Sequence, residues 1–273
     1  LQSILELDKS SETKEERPPI VTIMGHVDHG KTTLLDYLRK TVVADKEHGG
    51  ITQSIGGSQI VHNGKKVTFI DTPGHALFTS LRARGSKITD IVIIVVAADD
   101  GIMKQTVEAI NHAKAANVPI IVAVTKIDKG IDNTETIKTQ LSEHGLITED
   151  RGGDVPLVKV SGVTGQGIDD LMDQILLHAE VSELVCDPER NGIGVVLEAH
   201  KDIQKGVMTT MIVMTGTIKV GDILRVYNTF GKIKKIYNRK GQEIKTATGG
   251  DPVMILGIND VPEAGKLAEA VKD

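Results

Sequence analysis

The chain has 273 residues, 40% of them hydrophobic, enough for one large or two modest folded units with a real core. It holds no Trp and only three Tyr and three Phe, so that core is aliphatic, and a net charge of −5 gives no global signal for nucleic acid. A lone cysteine, Cys186, excludes internal disulfides and suits a reducing compartment, and no apolar run approaches the roughly 20 residues of a membrane-spanning helix. The first residue is Leu, so the chain is expected to be a processed or truncated piece. Residues 1–17 are polar and charge-rich and read as a linker leading to Pro18-Pro19. A strand is predicted over 20–24, and Gly25-His26-Val27-Asp28-His29-Gly30-Lys31-Thr32 follows it, opening a helix predicted over 33–39. That is G-x-x-x-x-G-K-[ST] in a strand–loop–helix setting, the phosphate-binding loop. Gly25 and Gly30 permit backbone angles that a Cβ forbids. Successive N–H groups, Thr33 included, can then face phosphates at a positive helix N-terminus. Lys31 would reach the β- and γ-phosphates and the Thr32 hydroxyl would ligate Mg²⁺.

Strands are predicted over 58–62 and 66–70, joined by Asn63-Gly64, a strong hairpin signal. Asp71-Thr72-Pro73-Gly74-His75 comes next, forty residues past Lys31. An Asp at a strand end beside the phosphate loop can hold Mg²⁺ through water, and Gly74 N–H can meet the γ-phosphate closely. A helix is predicted over 77–86. The run Ile91-Val92-Ile93-Ile94-Val95-Val96, within a strand predicted over 91–97, is apolar without alternation, as in a strand covered on both faces. Helix 104–116 and strand 119–124 lead to Thr125-Lys126-Ile127-Asp128. There Asp128 can accept from guanine N1–H and N2–H₂ together, donors that adenine lacks, and the Lys126 stem can cover the base. Helix 134–144, strand 155–160 and helix 168–180 complete an alternation that predicts an α/β fold: a doubly wound, mostly parallel sheet with one antiparallel edge strand.

From about residue 190 short β-type runs (193–199, 207–213, 223–227, 232–237, 253–258) are separated by Gly, Asp and Asn, which predicts a small antiparallel β-barrel. The expected organisation is a linker at 1–17, a nucleotide-binding domain at 18–186 and a barrel domain at 190–273. Residues 190–273 hold 13 Lys/Arg against 9 Asp/Glu, so positive charge gathers in the last third. The tract Lys232, Lys234, Lys235, Arg239, Lys240 suits either a nucleic-acid backbone or a solvated hairpin face. His26, His29, His48 and His62 lack metal-ligand spacing.

Taken together, the G-H-V-D-H-G-K-T loop, D-T-P-G-H and x-K-x-D resemble the translational GTPases. The segments Gly49-Gly50-Ile51-Thr52-Gln53, Arg82-Ala83-Arg84-Gly85 and Ala97-Ala98-Asp99-Asp100-Gly101 narrow the resemblance to the initiation-factor-two family of bacteria and mitochondria. It covers roughly 18–273 and includes Gly216-Thr217-Ile218-Lys219-Val220-Gly221-Asp222, similar to that family's second-domain barrel.

The resemblance implies that Thr52 ligates Mg²⁺ and senses the γ-phosphate, that His75 positions the attacking water, and that Asp28 is an optional monovalent-cation site. It also implies that the cluster Arg82, Arg84, Lys87 faces the ribosome. Two departures stand out. Thr125 replaces the usual Asn of the base motif, and Ser161-Gly162-Val163 replaces S-A-[KL]. A backbone N–H at 162 can still face guanine O6, but Gly is looser, and both changes are expected to weaken GTP/GDP binding. They also point towards a mitochondrial member, with the bacterial cytoplasm as the alternative location. The family's C-terminal modules for formylated initiator tRNA are absent, so this piece is expected to be the switch and its barrel: a monomer that acts on the ribosome, without a membrane partner. The function expected is ribosome-stimulated GTP hydrolysis timing subunit joining. A GTP-sensing RNA-binding scaffold with negligible turnover is the alternative, and an elongation-type carrier of aminoacyl-tRNA is disfavoured by G-G-I-T-Q and Arg82-Ala83-Arg84.

Overall fold

The computed structural model describes residues 1–43, 57–70 and 88–272. A six-stranded sheet has the order β3 (Gly57–His62), β4 (Lys65–Ile70), β2 (Ile20–Gly25), β5 (Ile91–Ala97), β6 (Ile120–Thr125), β7 (Leu157–Lys159). All neighbours are parallel except β3 and β4, the expected hairpin. The unalternating run of β5 is explained by its two faces. Ile91, Ile93 and Val95 pack with Leu34, Leu35 and Leu38 of α2 (Lys31–Val43) and with Leu171, Met172 and Ile175 of α5 (Ile168–Ser182). Val92, Ile94 and Val96 pack with Ala109, Ile110 and Ala113 of α3 (Lys104–Ala115) and with Ile137 and Leu141 of α4 (Thr134–Glu143). Helices therefore cover both faces, and the loops after β2, β5 and β6 gather at the carboxyl edge of the sheet, where such folds bind ligands.

The second unit is an antiparallel sheet in the order β13 (Thr229–Lys232), β12 (Ile223–Val226), β18 (Leu267–Val271), β9 (Ile193–Asp202), β10 (Gly206–Thr215), β17 (Pro252–Leu256), β14 (Lys235–Tyr237), β15 (Glu243–Ile244). It curls into a barrel-like form: Asn259 N donates to Phe230 O at 3.1 Å, joining the first strand in this order to the chain that follows β17. The run predicted at 232–237 is divided, since β13 ends at Lys232 and β14 starts at Lys235. Strand β18 and the short pair β11 (Thr217–Lys219) and β16 (Thr246–Thr248) were not expected. The Ala- and Glu-rich sequence of β18 has weak β-propensity and owes its conformation to pairing on both sides.

Residues 1–17 differ from the expected linker: they are folded. They form α1 (Gln2–Asp8) and β1 (Glu15–Glu16), which pairs with β8 (Val185–Cys186). Leu1 and Leu5, four apart and so on one helix face, pack on a cluster of Ile20, Ile70, Ile88, Val195, Leu197, Ile212 and Met214 drawn from both units. Asp8 is fully buried and accepts from Arg190 Nε at 3.0 Å and from the Thr215 hydroxyl at 2.5 Å. The Ser11 and Thr13 hydroxyls both donate to Asp187, which holds that carboxyl below its ordinary pKa. Arg17 is buried in a bidentate pair with Asp90 at 2.7 and 2.9 Å. Two of the segment's charges, Asp8 and Arg17, thus have partners in distant parts of the chain.

The seam between the units also carries polar links. The buried Thr68 hydroxyl donates to Gly250 O at 2.7 Å, and Gln59 Nε2 donates to Asp251 Oδ1 at 3.2 Å. Thr68→Val keeps the shape and deletes the donor. It should lower unfolding stability by about 1 kcal/mol, read as a reduced urea midpoint with unchanged slope.

Candidate functional site

The loop after β2 is held by close approach. Gly25 has φ +150° and Gly30 φ +87°, and a Cβ on Gly25 would sit 2.6 Å from the Val95 carbonyl oxygen of β5. Any other residue at 25 would push the loop off the sheet. His29 N donates to His26 O at 3.1 Å, and Leu34 N donates to Gly30 O at 2.9 Å, carrying the chain into α2. Lys31 and Thr32 therefore open that helix with Thr33 behind them, as the motif requires.

Two of the loop's own N–H groups have side-chain acceptors. Val27 N donates to Gln105 Oε1 at 3.1 Å and Asp28 N to His26 Nδ1 at 3.3 Å. Gln105, in the first turn of α3, carried no signal in the sequence. The His29 ring is fully buried, its Nε2 lies 3.1 Å from Asp100 Oδ2, and its centroid is 4.7 Å from that of His26. Burial, helped by His26, holds its pKa below the ordinary value, so at neutral pH the ring is neutral and can donate Nε2–H to Asp100.

On the other side, β6 ends at Thr125, whose buried hydroxyl donates to His29 O at 2.5 Å. The tie to the phosphate loop is made by this shorter side chain after all. Gly30 packs beside it: a Cβ there would lie at ordinary contact distance, 3.6 Å, from Thr125 Oγ1, so it is the positive φ that calls for glycine. Thr125→Val removes the hydroxyl and keeps the volume. It should weaken GDP binding about two- to tenfold by calorimetry, the worth of one neutral hydrogen bond; unchanged affinity would show that the tie does not set the loop.

Past Thr125, Lys126 adopts a left-handed conformation (φ +61°) and turns the chain into the short 3₁₀ segment Ile127–Lys129. Asp128 Oδ1 accepts from the Ser161 hydroxyl at 2.8 Å, and Ser161 Oγ in turn accepts from Val163 N at 3.2 Å and Thr164 N at 3.1 Å. Ser161 is fully buried, so this hydroxyl locks the candidate base-reading carboxylate to the 161–164 loop. Gly162 lies close to α2. A Cβ there would lie 3.0 Å from Leu34 N and from Thr33 Cγ2, so the loop runs close against the first turn of α2 and an Ala would need that turn to give by a few tenths of an ångström. Nearby, Lys129 Nζ pairs with Asp99 at 2.7 Å, a hydrogen bond that holds the Asp99 carboxyl below its ordinary pKa.

The structure thus brings together Gly25 to Thr33, Thr125 to Asp128 and Ser161 to Val163. Thr52, Asp71, Gly74, His75, Arg82, Arg84 and Lys87 lie outside the described residues. Among the described residues, no group of three or more His, Cys, Asp or Glu side chains could hold a metal ion, and no helix is long and apolar enough to cross a membrane.

Comparison with known proteins gives a consistent picture. The family described as Elongation factor Tu GTP binding domain matches residues 16–181, and Elongation factor G domain 2 matches 192–269. Translation initiation factor IF-2 of Bacillus subtilis (strain 168) is 56% identical over 273 residues, covering 98% of this chain and 38% of the relative. The IF-2 of Clostridium novyi (strain NT) is 54% identical over 268 residues, covering 98% and 39%. The chain therefore spans somewhat over a third of these relatives' length. Both come from bacteria and lend no support to the mitochondrial expectation. Among solved structures, GDP-bound aIF5B from Aeropyrum pernix matches with TM-score 0.79 and 28% identity, covering 95% of this chain and 55% of that one. The apo form of translation elongation factor SelB from Methanococcus maripaludis matches with TM-score 0.70 and 30% identity, covering 93% and 56%.

Proposed function

The chain belongs to the family of the elongation factor Tu GTP binding domain, and from that premise we propose that it is the GTP-hydrolysing switch of a bacterial-type translation initiation factor. The observation that carries this reading is the hydrogen-bonded path at the carboxyl edge of the sheet. It runs from the phosphate loop through His29 O and Thr125, and from Asp128 through Ser161 to the loop seated on α2. One rigid frame would hold a guanine and a triphosphate together.

The assignments follow the chemistry of each group. Asp128 would accept the two guanine donors, the Lys126 stem would cover the base, and the backbone at Gly162 and Val163 would face the guanine oxygen. Phosphate oxygens are stronger acceptors than Gln105 or the His26 ring, so they would displace both from the N–H groups of Val27 and Asp28. Lys31 would neutralise the β- and γ-phosphates. The Thr32 hydroxyl at the start of α2 suits a hard cation. With Thr52 and, through water, Asp71, it would hold Mg²⁺, which when bound offsets the charge between the β- and γ-phosphates. Gly74 would sense the γ-phosphate and His75 would orient the attacking water. Asp28 is exposed and has no ligating cluster around it among the described residues, so the proposal includes no monovalent cation.

We assign residues 18–186 to the GTP-binding unit and 190–273 to the barrel. The proposed setting is the bacterial cytoplasm, with the ribosome as activating partner of a monomeric chain and initiator tRNA as a further partner engaged outside the two units described. Calorimetric titration with GDP, GTP and ATP tests the nucleotide assignment: GDP and GTP should bind and ATP should not. Phosphate release with and without ribosomes tests the switch. Turnover that ribosomes leave unchanged would favour a non-hydrolysing scaffold.

A further inference from the structure

Among the described residues Phe69 is fully buried and Tyr37 and Tyr237 pack against apolar clusters, while Tyr227 and Phe230 face solvent. These last two are 68% and 59% exposed, Tyr227 within the turn between β12 and β13 and Phe230 just past it on β13. In the β12–β13 hairpin Val226 pairs with Thr229 and points inward, while Arg225 stands directly opposite Phe230 on the outer side. Tyr227 adopts a left-handed backbone (φ +51°), a conformation that a bulky aromatic rarely takes and that Gly or Asn would take freely. The hairpin is firmly mounted: Asp260 N donates to Thr229 Oγ1 at 3.2 Å and Asn259 N to Phe230 O at 3.1 Å. The Lys266 ammonium lies 4.8 Å from the centre of the Tyr227 ring, so that ring already serves as a π-surface for a cation.

The chain leaving this hairpin is strongly cationic. Residues 228–242 contain Lys232, Lys234, Lys235, Arg239 and Lys240 and no acidic residue. Lys232, Lys234 and Lys240 are exposed, and Lys235 pairs with Glu243 at 3.2 Å. Exposed rings on a rigid turn, continued by an acid-free cationic strip, have the two parts that single-stranded nucleic acid requires: faces on which bases stack and charges that follow the backbone. Five cations in fifteen residues suit a continuous polyanion better than the mixed charges of a protein surface. A duplex keeps its bases stacked on one another and cannot use the rings.

We infer that the β12–β13 hairpin is a docking surface for unpaired RNA, with nucleobases stacking on Tyr227 and Phe230 and the phosphates running along Lys232, Lys234 and Lys240. The choice of RNA rests on the ribosomal reading above, whereas the surface lies in the barrel and involves none of the proposed nucleotide-binding residues. The chain has no Trp, so Tyr227→Trp installs a sole tryptophan as reporter. The variant is titrated with a single-stranded RNA of roughly a dozen nucleotides and with the same strand in a duplex. The single strand should quench the tryptophan and the duplex should not. Adding Phe230→Ala should weaken single-strand binding about tenfold. Lys234→Gln with Lys240→Gln should flatten the salt dependence by about 0.7 for each cation removed. These side chains are exposed, so the fold is expected to persist, with thermal melting as the control. Absence of quenching by the single strand, or equal quenching by the duplex, overturns the proposal and leaves the pair as a protein-docking face. So does an unchanged affinity in Phe230→Ala. Because nothing here reads GTP binding or hydrolysis, a negative result would leave the switch assignment standing.

Discussion

Asp128→Asn is expected to lose GTP and gain xanthosine triphosphate. The carboxylate at 128 offers only acceptors, which matches the paired donors of guanine. Ser161 keeps one of its oxygens in place with a 2.8 Å bond from a buried hydroxyl. In the Asn variant the side-chain oxygen can still accept from Ser161, so the loop at 161–164 should stay folded. The amide nitrogen then faces guanine's amino group, donor against donor, whereas xanthine presents a carbonyl there. Hydrogen bonds to a charged acceptor contribute about 1.5–3 kcal/mol each, so losing both should cost roughly a hundredfold or more in GTP affinity, and losing one about tenfold or more. A competition titration with both nucleotides reads the exchange directly. Unchanged GTP affinity would remove Asp128 from base recognition and leave it as a structural partner of Ser161.

His75→Ala should separate hydrolysis from binding. The residue follows Asp71-Thr72-Pro73-Gly74, outside the described part of the chain, and its assignment comes from that motif. A side chain that orients the attacking water makes its contact only as the reaction proceeds, so the ground-state contacts of the nucleotide do not depend on it. Its loss should cost on the order of 3 kcal/mol in the transition state, about a hundredfold in ribosome-stimulated phosphate release. GTP affinity should stay within a few-fold, and the variant should load onto ribosomes and stall there in the GTP form. Near-normal stimulated release would reduce His75 to a packing residue.

The parts of the fold that could be read in advance were those written in contiguous residues. The unalternating run of β5 announced a strand with helices on both faces, and the glycines of the phosphate loop announced backbone conformations that the structure contains. What escaped was written in pairs of residues far apart. Thr125 looked like a loss because its shorter arm was compared with Asn in isolation, whereas its hydroxyl meets a carbonyl 96 positions earlier in the chain. The freedom of Gly162 is local information, while the first turn of α2 that runs close to it is not. Residues 1–17 looked like a linker because charge and serine content suggest solvent until Arg190, Asp187 and Asp90 are seen beside them. Short strands such as β11 and β16 carry too few residues for a pattern and are specified by the partner they pair with.

The clasp at Asp8 sets an order on how the molecule is built. Its Thr215 partner lies 207 positions later, so a ribosome making this chain at about 5–20 residues per second exposes Asp8 for roughly 10–40 s before that hydroxyl exists. For most of that interval α1 has neither the Arg190 guanidinium nor the Ile212 and Met214 side chains to pack against. The sheet with the phosphate loop can close while its own amino-terminal helix is still unseated. Seating α1 is then among the last events of maturation, and a nascent chain halted before residue 190 should present this helix to proteases that the finished protein resists.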